Sequence, residues 1–131
     1  MSASQKDLDS EVGKRLAEIR QERGLDQGEV AQKINLRKGA KAITAKSISG
    51  YENGNHIPDQ RVAELCLVLE TEPRFLLMGR GERHMAPDHI RETLKPYGNI
   101  KQLRESIWDS ELSRLESEIA ILQKTKHGRY I

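Results

Sequence analysis

The chain has 131 residues, 36% hydrophobic and 32% charged, with a formal net charge of +2. That length carries one compact domain and a modest appendage but not two large domains, and with aromatics at only 4% the core must come from Leu, Ile, Val and Ala. No apolar run approaches the roughly 18 residues of a membrane span, the polar start lacks the apolar stretch of a secretory signal, and the single Cys66 excludes an internal disulfide framework, so a soluble protein of a reducing cytoplasm is expected.

Along the chain, Ser10 can cap a helix over 11–23, with Val12, Leu16 and Ile19 on one face and Gly24 as its stop. Asp26, with Glu29 three residues on, forms a capping-box pattern for a second helix ending near Asn35, whose apolar face is Val30, Ala31 and Ile34. The stretch 36–42 has no clear period and a central Gly39, which reads as a loop. Thr44 can cap a third helix over 45–53 with Ile48 and Tyr51 inward, ended by Asn53 and Gly54. Pro58 suits the first turn of a fourth helix running to Leu69, with Val62, Leu65, Cys66 and Leu69 inward. Thr71 can cap a fifth over 72–78, with Pro73 in its first turn and Gly79 at its end. Each helix has a single apolar stripe, so none is stable unless docked on the others, and an all-α domain is expected. The segment 80–87 reads as a linker, 88–94 as a brief helix stopped by Pro96, and 100–125 as a long helix with Asn99 as its cap.

The net charge is too small to argue for nucleic acid, but its distribution says more. Lys33, Arg37, Lys38, Lys41 and Lys46 fall between positions 30 and 51 with no acidic residue among them. Such a block is either a solvated surface or a local positive field for phosphates. With Ile48 and Tyr51 holding the third helix from behind, Ala45, Lys46, Ser49 and Gly50 face outward. A helix so presented fits the major groove, where Lys46 can reach guanine N7 or O6, Ser49 a base edge or phosphate, and Ala45 a methyl group. Plainer readings are a solvated Lys46 and a passive small Ser49; Gly50 matters through close approach.

The run Leu25, Asp26, Gln27, Glu29, Val30, Ala31, Thr44, Ile48, Ser49, Tyr51, Glu52, Gly54 and Pro58 resembles the lambda-repressor-like helix-turn-helix family (the Cro and phage-repressor type, also called XRE). Leu65, Leu69, Phe75, Leu76 and Gly79 look like that family's last two helices, so the resemblance covers about 12–82. It implies an all-α fold: a five-helix DNA-binding domain at 1–82, then a linker and a C-terminal helical oligomerisation segment within 83–131. It implies base contacts from Ala45, Lys46, Ser49 and Gly50, and phosphate contacts from Gln27, Ser47 and Asn53; Gln27 as a mere helix-start residue is the alternative. The chain departs from the family in its turn, where about seven extra residues at 36–42 follow Asn35, a position often Gly. That insertion either loops away from DNA or, as expected here, brings Arg37, Lys38 and Lys41 to the flanking backbone or a minor groove.

No zinc spacing, nucleophile motif or phosphate-cradling glycine loop appears, so neither an enzyme nor a bound cofactor is expected. In the last helix, Ile100, Leu103 and Ile107 form one stripe, while Trp108, Leu112, Leu115, Ile119 and Leu122 form another with coiled-coil spacing. The first is expected to dock on the chain itself and the second to meet another chain. Acidic flanks (Asp109, Glu111, Glu116, Glu118) disfavour a plain two-stranded coil, so a broader interface including Ile90 and Leu94 is expected. The resulting expectation is a phage- or prophage-type repressor, a homodimer or higher oligomer on a palindromic operator, with an antirepressor as a further partner. The alternative is an antitoxin whose C-terminal region masks a toxin.

Overall fold

The computed structural model describes residues 2–97 and 100–129, with the side chains at 2–5, 97, 100, 107, 108, 110, 111 and 123–129 outside that description. Its helices are α1 (Ser2–Glu22), α2 (Gln27–Asn35), α3 (Ala45–Glu52), α4 (Asp59–Leu69), α5 (Pro73–Met78), α6 (Pro87–Leu94) and α7 (Ile100–Arg129), with a 3-10 turn at Lys95–Tyr97. Among the described residues there is no strand, and no helix is long and apolar enough to cross a membrane. Helices α2 to α6 span 6 to 11 residues, below the ~12–15 that an isolated helix needs in water, so they persist only by sharing a core. That core is Leu16 and Ile19 of α1, Val30 and Ile34 of α2, Ile48 of α3, Val62, Leu65, Cys66 and Leu69 of α4, and Leu76 of α5. Ile43 and Ile57, in connections rather than helices, are buried with them. Burial pushes the Cys66 thiol up and keeps it a small neutral core group.

The start of α1 differs from expectation. Ser10 lies inside the helix rather than capping it, because 2–9 contain neither Pro nor Gly and nothing stops the helix from propagating backwards. Three arginines fix the arrangement from the outside. Arg15 donates to the Leu76 and Leu77 carbonyls at 2.8 and 2.9 Å, and Arg23 to the Leu69 and Glu70 carbonyls at 2.8 and 2.7 Å. Both therefore satisfy the orphan C-terminal carbonyls of α5 and α4. Arg20 instead makes a bidentate pair with Glu52, at 2.6 and 3.0 Å, and donates to the Leu25 carbonyl at 3.0 Å. The pair is 13% and 8% exposed, and its strong hydrogen bond raises Arg20 above the ordinary arginine value.

Pro58 and Glu72 sit at the N-cap positions of α4 and α5; Thr71 is fully buried and does not cap α5 through its side chain. The segment 80–86, expected as a linker, is packed down. Met85 is buried and its N–H bonds the Glu70 carbonyl at 2.8 Å, while Arg83 pairs with Glu18 and Glu22 over the Phe75 ring. The Arg83 bond holds the Glu22 carboxyl below its usual range, so this tie is present at neutral pH and fades as acid protonates Glu22. Ile90 of α6 is fully buried by the chain itself, which removes it from the broader interface expected above; Leu94 is half-buried. Leu103 of α7 joins the core as expected, and Arg104 bonds the Ile57 carbonyl at 3.1 Å. The Asn99 cap and the Ile100, Ile107 and Trp108 side chains lie outside the described residues. Beyond them, Leu112, Leu115, Ile119 and Leu122 are 56%, 45%, 54% and 68% exposed, so these four residues of the second stripe do not pack within the chain.

Gly13 marks where α1 crosses the end of α3: a Cβ there would lie 2.4 Å from the Tyr51 carbonyl oxygen and 2.8 Å from that of Glu52. Gly13→Ala is expected to lower stability by about 1–2 kcal/mol despite the better helix propensity of Ala, because backbone must move; the urea midpoint measures it. Glu52→Gln, which leaves the Arg20 charge unmatched, is expected to cost about 3 kcal/mol. In a double-mutant cycle with Arg20→Met the combined loss should fall well short of the sum; additive losses would show that the pair does not act as a unit.

Candidate nucleic-acid interface

The α2–α3 pair is organised by its caps. Asp26 accepts from the Glu29 N–H at 2.7 Å while Glu29 accepts from the Asp26 N–H at 3.0 Å, completing the expected capping box. Thr44 caps α3 through its hydroxyl, which accepts from the Ser47 N–H at 3.3 Å. Ala31 is buried where α2 meets α3, its small side chain permitting close approach. Ile48 is wholly buried and Tyr51 half-buried against the same core, so both hold α3 from behind as its sequence pattern indicates.

Around the rest of α3, Ala45, Lys46 and Asn53 are exposed and Ser47, Ser49 and Gly50 are half-exposed. Of the four residues expected to read bases, Ala45 and Lys46 are thus exposed, while Ser49 and Gly50 are half-exposed. Asn53 is held in place: its amide donates to the Ser49 carbonyl at 2.8 Å and to the Ser49 hydroxyl at 3.4 Å. At Gly50 the close approach is made by the chain itself, since a Cβ there would lie 2.7 Å from the Asn55 side-chain nitrogen. Asn55, whose N–H bonds the Gly50 carbonyl at 2.9 Å, therefore places an exposed amide at the rim of this surface. Sequence reading missed it, and the signal available was the Gly50 whose space it fills.

Gln27 has a second role beside any phosphate. Its amide donates to Glu52 at 3.1 Å, joining the first turn of α2 to the Arg20–Glu52 pair and so to both α1 and α3. The insertion is likewise tied at its base. The Asn35 amide donates to the Ile43 carbonyl at 2.9 Å and its oxygen accepts from the Ile43 N–H at 2.9 Å, two bonds that close the loop on itself. With Ile43 buried, the extra residues bulge outward without separating α2 from α3. Arg37 is half-exposed and Lys38 and Lys41 are exposed at the bulge. Among the described residues, none of Lys33, Arg37, Lys38, Lys41 and Lys46 has a carboxylate within 4.0 Å, so the block keeps a local positive field. It adds to the positive end of α3.

Comparison with known proteins bears on this surface. A family model described as a helix-turn-helix domain matches residues 11–74. No curated protein and no solved structure matches the chain at a significant level. The matched segment starts at Glu11 within α1 and ends in α5, enclosing the capped pair, the clamp and the positive field. Residues 11–74 are thus a helix-turn-helix domain, which supports a DNA-binding role for the chain.

Proposed function

We propose that this protein is a sequence-specific transcriptional repressor of phage or prophage type that binds a palindromic operator as a dimer and occludes a promoter. The observation that carries the reading is the exposed Ala45, Lys46 and Ser49 surface, backed by buried Ile48 and surrounded by cations without carboxylate partners. In this reading residues 1–82 bind DNA and 83–131 assemble the dimer. Lys46, Ser49, Ala45 and the Gly50 backbone meet base edges in the major groove, while Gln27, Ser47, Asn53, Arg37, Lys38 and Lys41 meet phosphates and fix register.

A single recognition helix reads only a few base pairs, so a second copy is needed for an operator of useful specificity, its half-site about one helical turn (roughly 34 Å) away. The exposed Leu112, Leu115, Ile119 and Leu122 stripe, extended in sequence by Trp108, supplies the apolar face for that contact. One observation favours a different partner: exposed Asp109, Glu116 and Glu118 stand near the stripe, where a basic partner such as a toxin would complement them. Here the chain acts as an antitoxin that also represses its own operon.

Lys46→Ala is expected to cost about 1–3 kcal/mol on the selected operator and little on random DNA; an equal loss on both would place Lys46 on a phosphate. Operator affinity is expected to fall steeply with salt, and binding isotherms at several ionic strengths give the slope. Leu115→Asp with Ile119→Asp is expected to convert a dimer, measured by sedimentation, into a folded monomer with weakened operator binding. A wild-type monomer that pairs only with a basic protein would support the antitoxin reading instead.

A further inference from the structure

Behind α3, on the side turned away from Lys46 and Ser49, lies a cavity. At about 100° per residue, Tyr51 sits roughly 140–160° around α3 from Lys46 and Ser49, so it faces away from them. Tyr51 forms one side of a cavity of about 780 Å³, whose other walls are the loop at 37–41, the first turns of α4, and Lys101 of α7. The volume falls within the range of about 300–1,000 Å³ usual for small-molecule sites.

The charges around it are unequal. Both lining carboxylates are already engaged, Asp59 with Arg104 at 3.2 Å and Glu64 with Arg61 at 2.9 Å. Arg61 also donates to the Ala42 carbonyl at 3.2 Å, holding the loop against α4. Arg37, Lys38, Lys41 and Lys101 remain, and none has a carboxylate within 4.0 Å among the described residues. Cations drawn from a loop and a distant helix thus border one concavity, where an anion relieves their mutual repulsion. Tyr51, Pro58 and Ala63 give it a less polar side. A concavity walled by separate elements suits a compact ligand better than the convex backbone of a duplex.

We propose that this cavity binds a small polyanion carrying a ring, of the nucleoside-phosphate class, and that its occupation draws Arg37, Lys38 and Lys41 inward and weakens operator binding. The second half rests on the DNA-contacting reading of that loop; the first half does not. Phosphates meet the lysines and arginines, and the ring lies against Tyr51.

The full chain, isotope-labelled, is titrated with ADP without metal and, separately, with inorganic tripolyphosphate, following backbone amides by NMR. Saturable shifts centred on Gly39, Ala40, Gln60 and Ala63 are expected, with tripolyphosphate binding more weakly. Lys101→Glu, an exposed change outside the proposed reading surface, should weaken ADP by about tenfold. Shifts that never saturate, spread over every lysine or ignore Lys101→Glu would overturn the site. Saturating ADP should weaken operator binding by wild type and not by Lys101→Glu; no effect on wild type overturns the regulatory half. If Lys101→Glu weakens DNA binding while ADP does not bind, the cavity is a seat for the duplex backbone and the proposal fails. If ADP binds as expected while no duplex is bound even at low salt, the repressor reading fails and the ligand site stands.

Discussion

One guanidinium and one carboxylate, almost closed off from water, decide how α3 is aimed. Arg20 comes from α1, Glu52 ends α3, and Gln27 reaches the same carboxylate from the start of α2. Helix α3 has only eight residues and a single fully buried side chain, so apolar burial alone leaves its rotation about Ile48 weakly fixed. A two-pronged bond to Glu52 removes that freedom, since fork geometry tolerates little rotation. Gly13 acts in the same place, letting the α1 backbone come directly against the carbonyls of Tyr51 and Glu52. The aim of the outward residues is thus set by contacts on the far side of α3.

The remaining architecture extends this rigid centre. Arg15 of α1 and Arg23 just past its end tie this part of the chain to the ends of α5 and α4, so α1 is held by polar contacts as well as by its apolar face. The stretch from Arg80 onward is not a slack tether: Met85, Ile90 and Leu103 carry the packing through α6 into the beginning of α7. From there α7 runs on with its apolar stripe turned to solvent, a helix of 30 residues and about 45 Å in all. Helix α7 is therefore joined to the preceding helices by buried side chains as well as by the chain itself.

Much of this was legible in the residues. The inward positions of α2, α3 and α4 follow from spacing alone because one buried stripe is what keeps short helices folded, and the Asp26 and Thr44 caps follow from side-chain chemistry that acts within three residues. What escaped is long-range. Ser10 has every property of a cap, yet capping needs the preceding residues to leave the helix, and nothing in 2–9 makes them do so. Thr71 is buried and makes no cap, because the helix begins one residue later than expected, with Glu72 in the N-cap position. The Arg20–Glu52 bond spans 32 positions and the Asn55 amide over Gly50 depends on a turn, so neither leaves a periodic trace. The outward surface of α3 was readable as a surface; its chemistry toward particular bases is set by a duplex that the chain does not encode.

The two bonds between Asn35 and the Ile43 backbone have a consequence for the history of such a domain. By joining the ends of the bulge, they make the distance between α2 and α3 independent of how much chain lies between. Residues 36–42 thereby become a module that selection, or a protein engineer, can shorten, lengthen or replace without re-aiming the helix that follows.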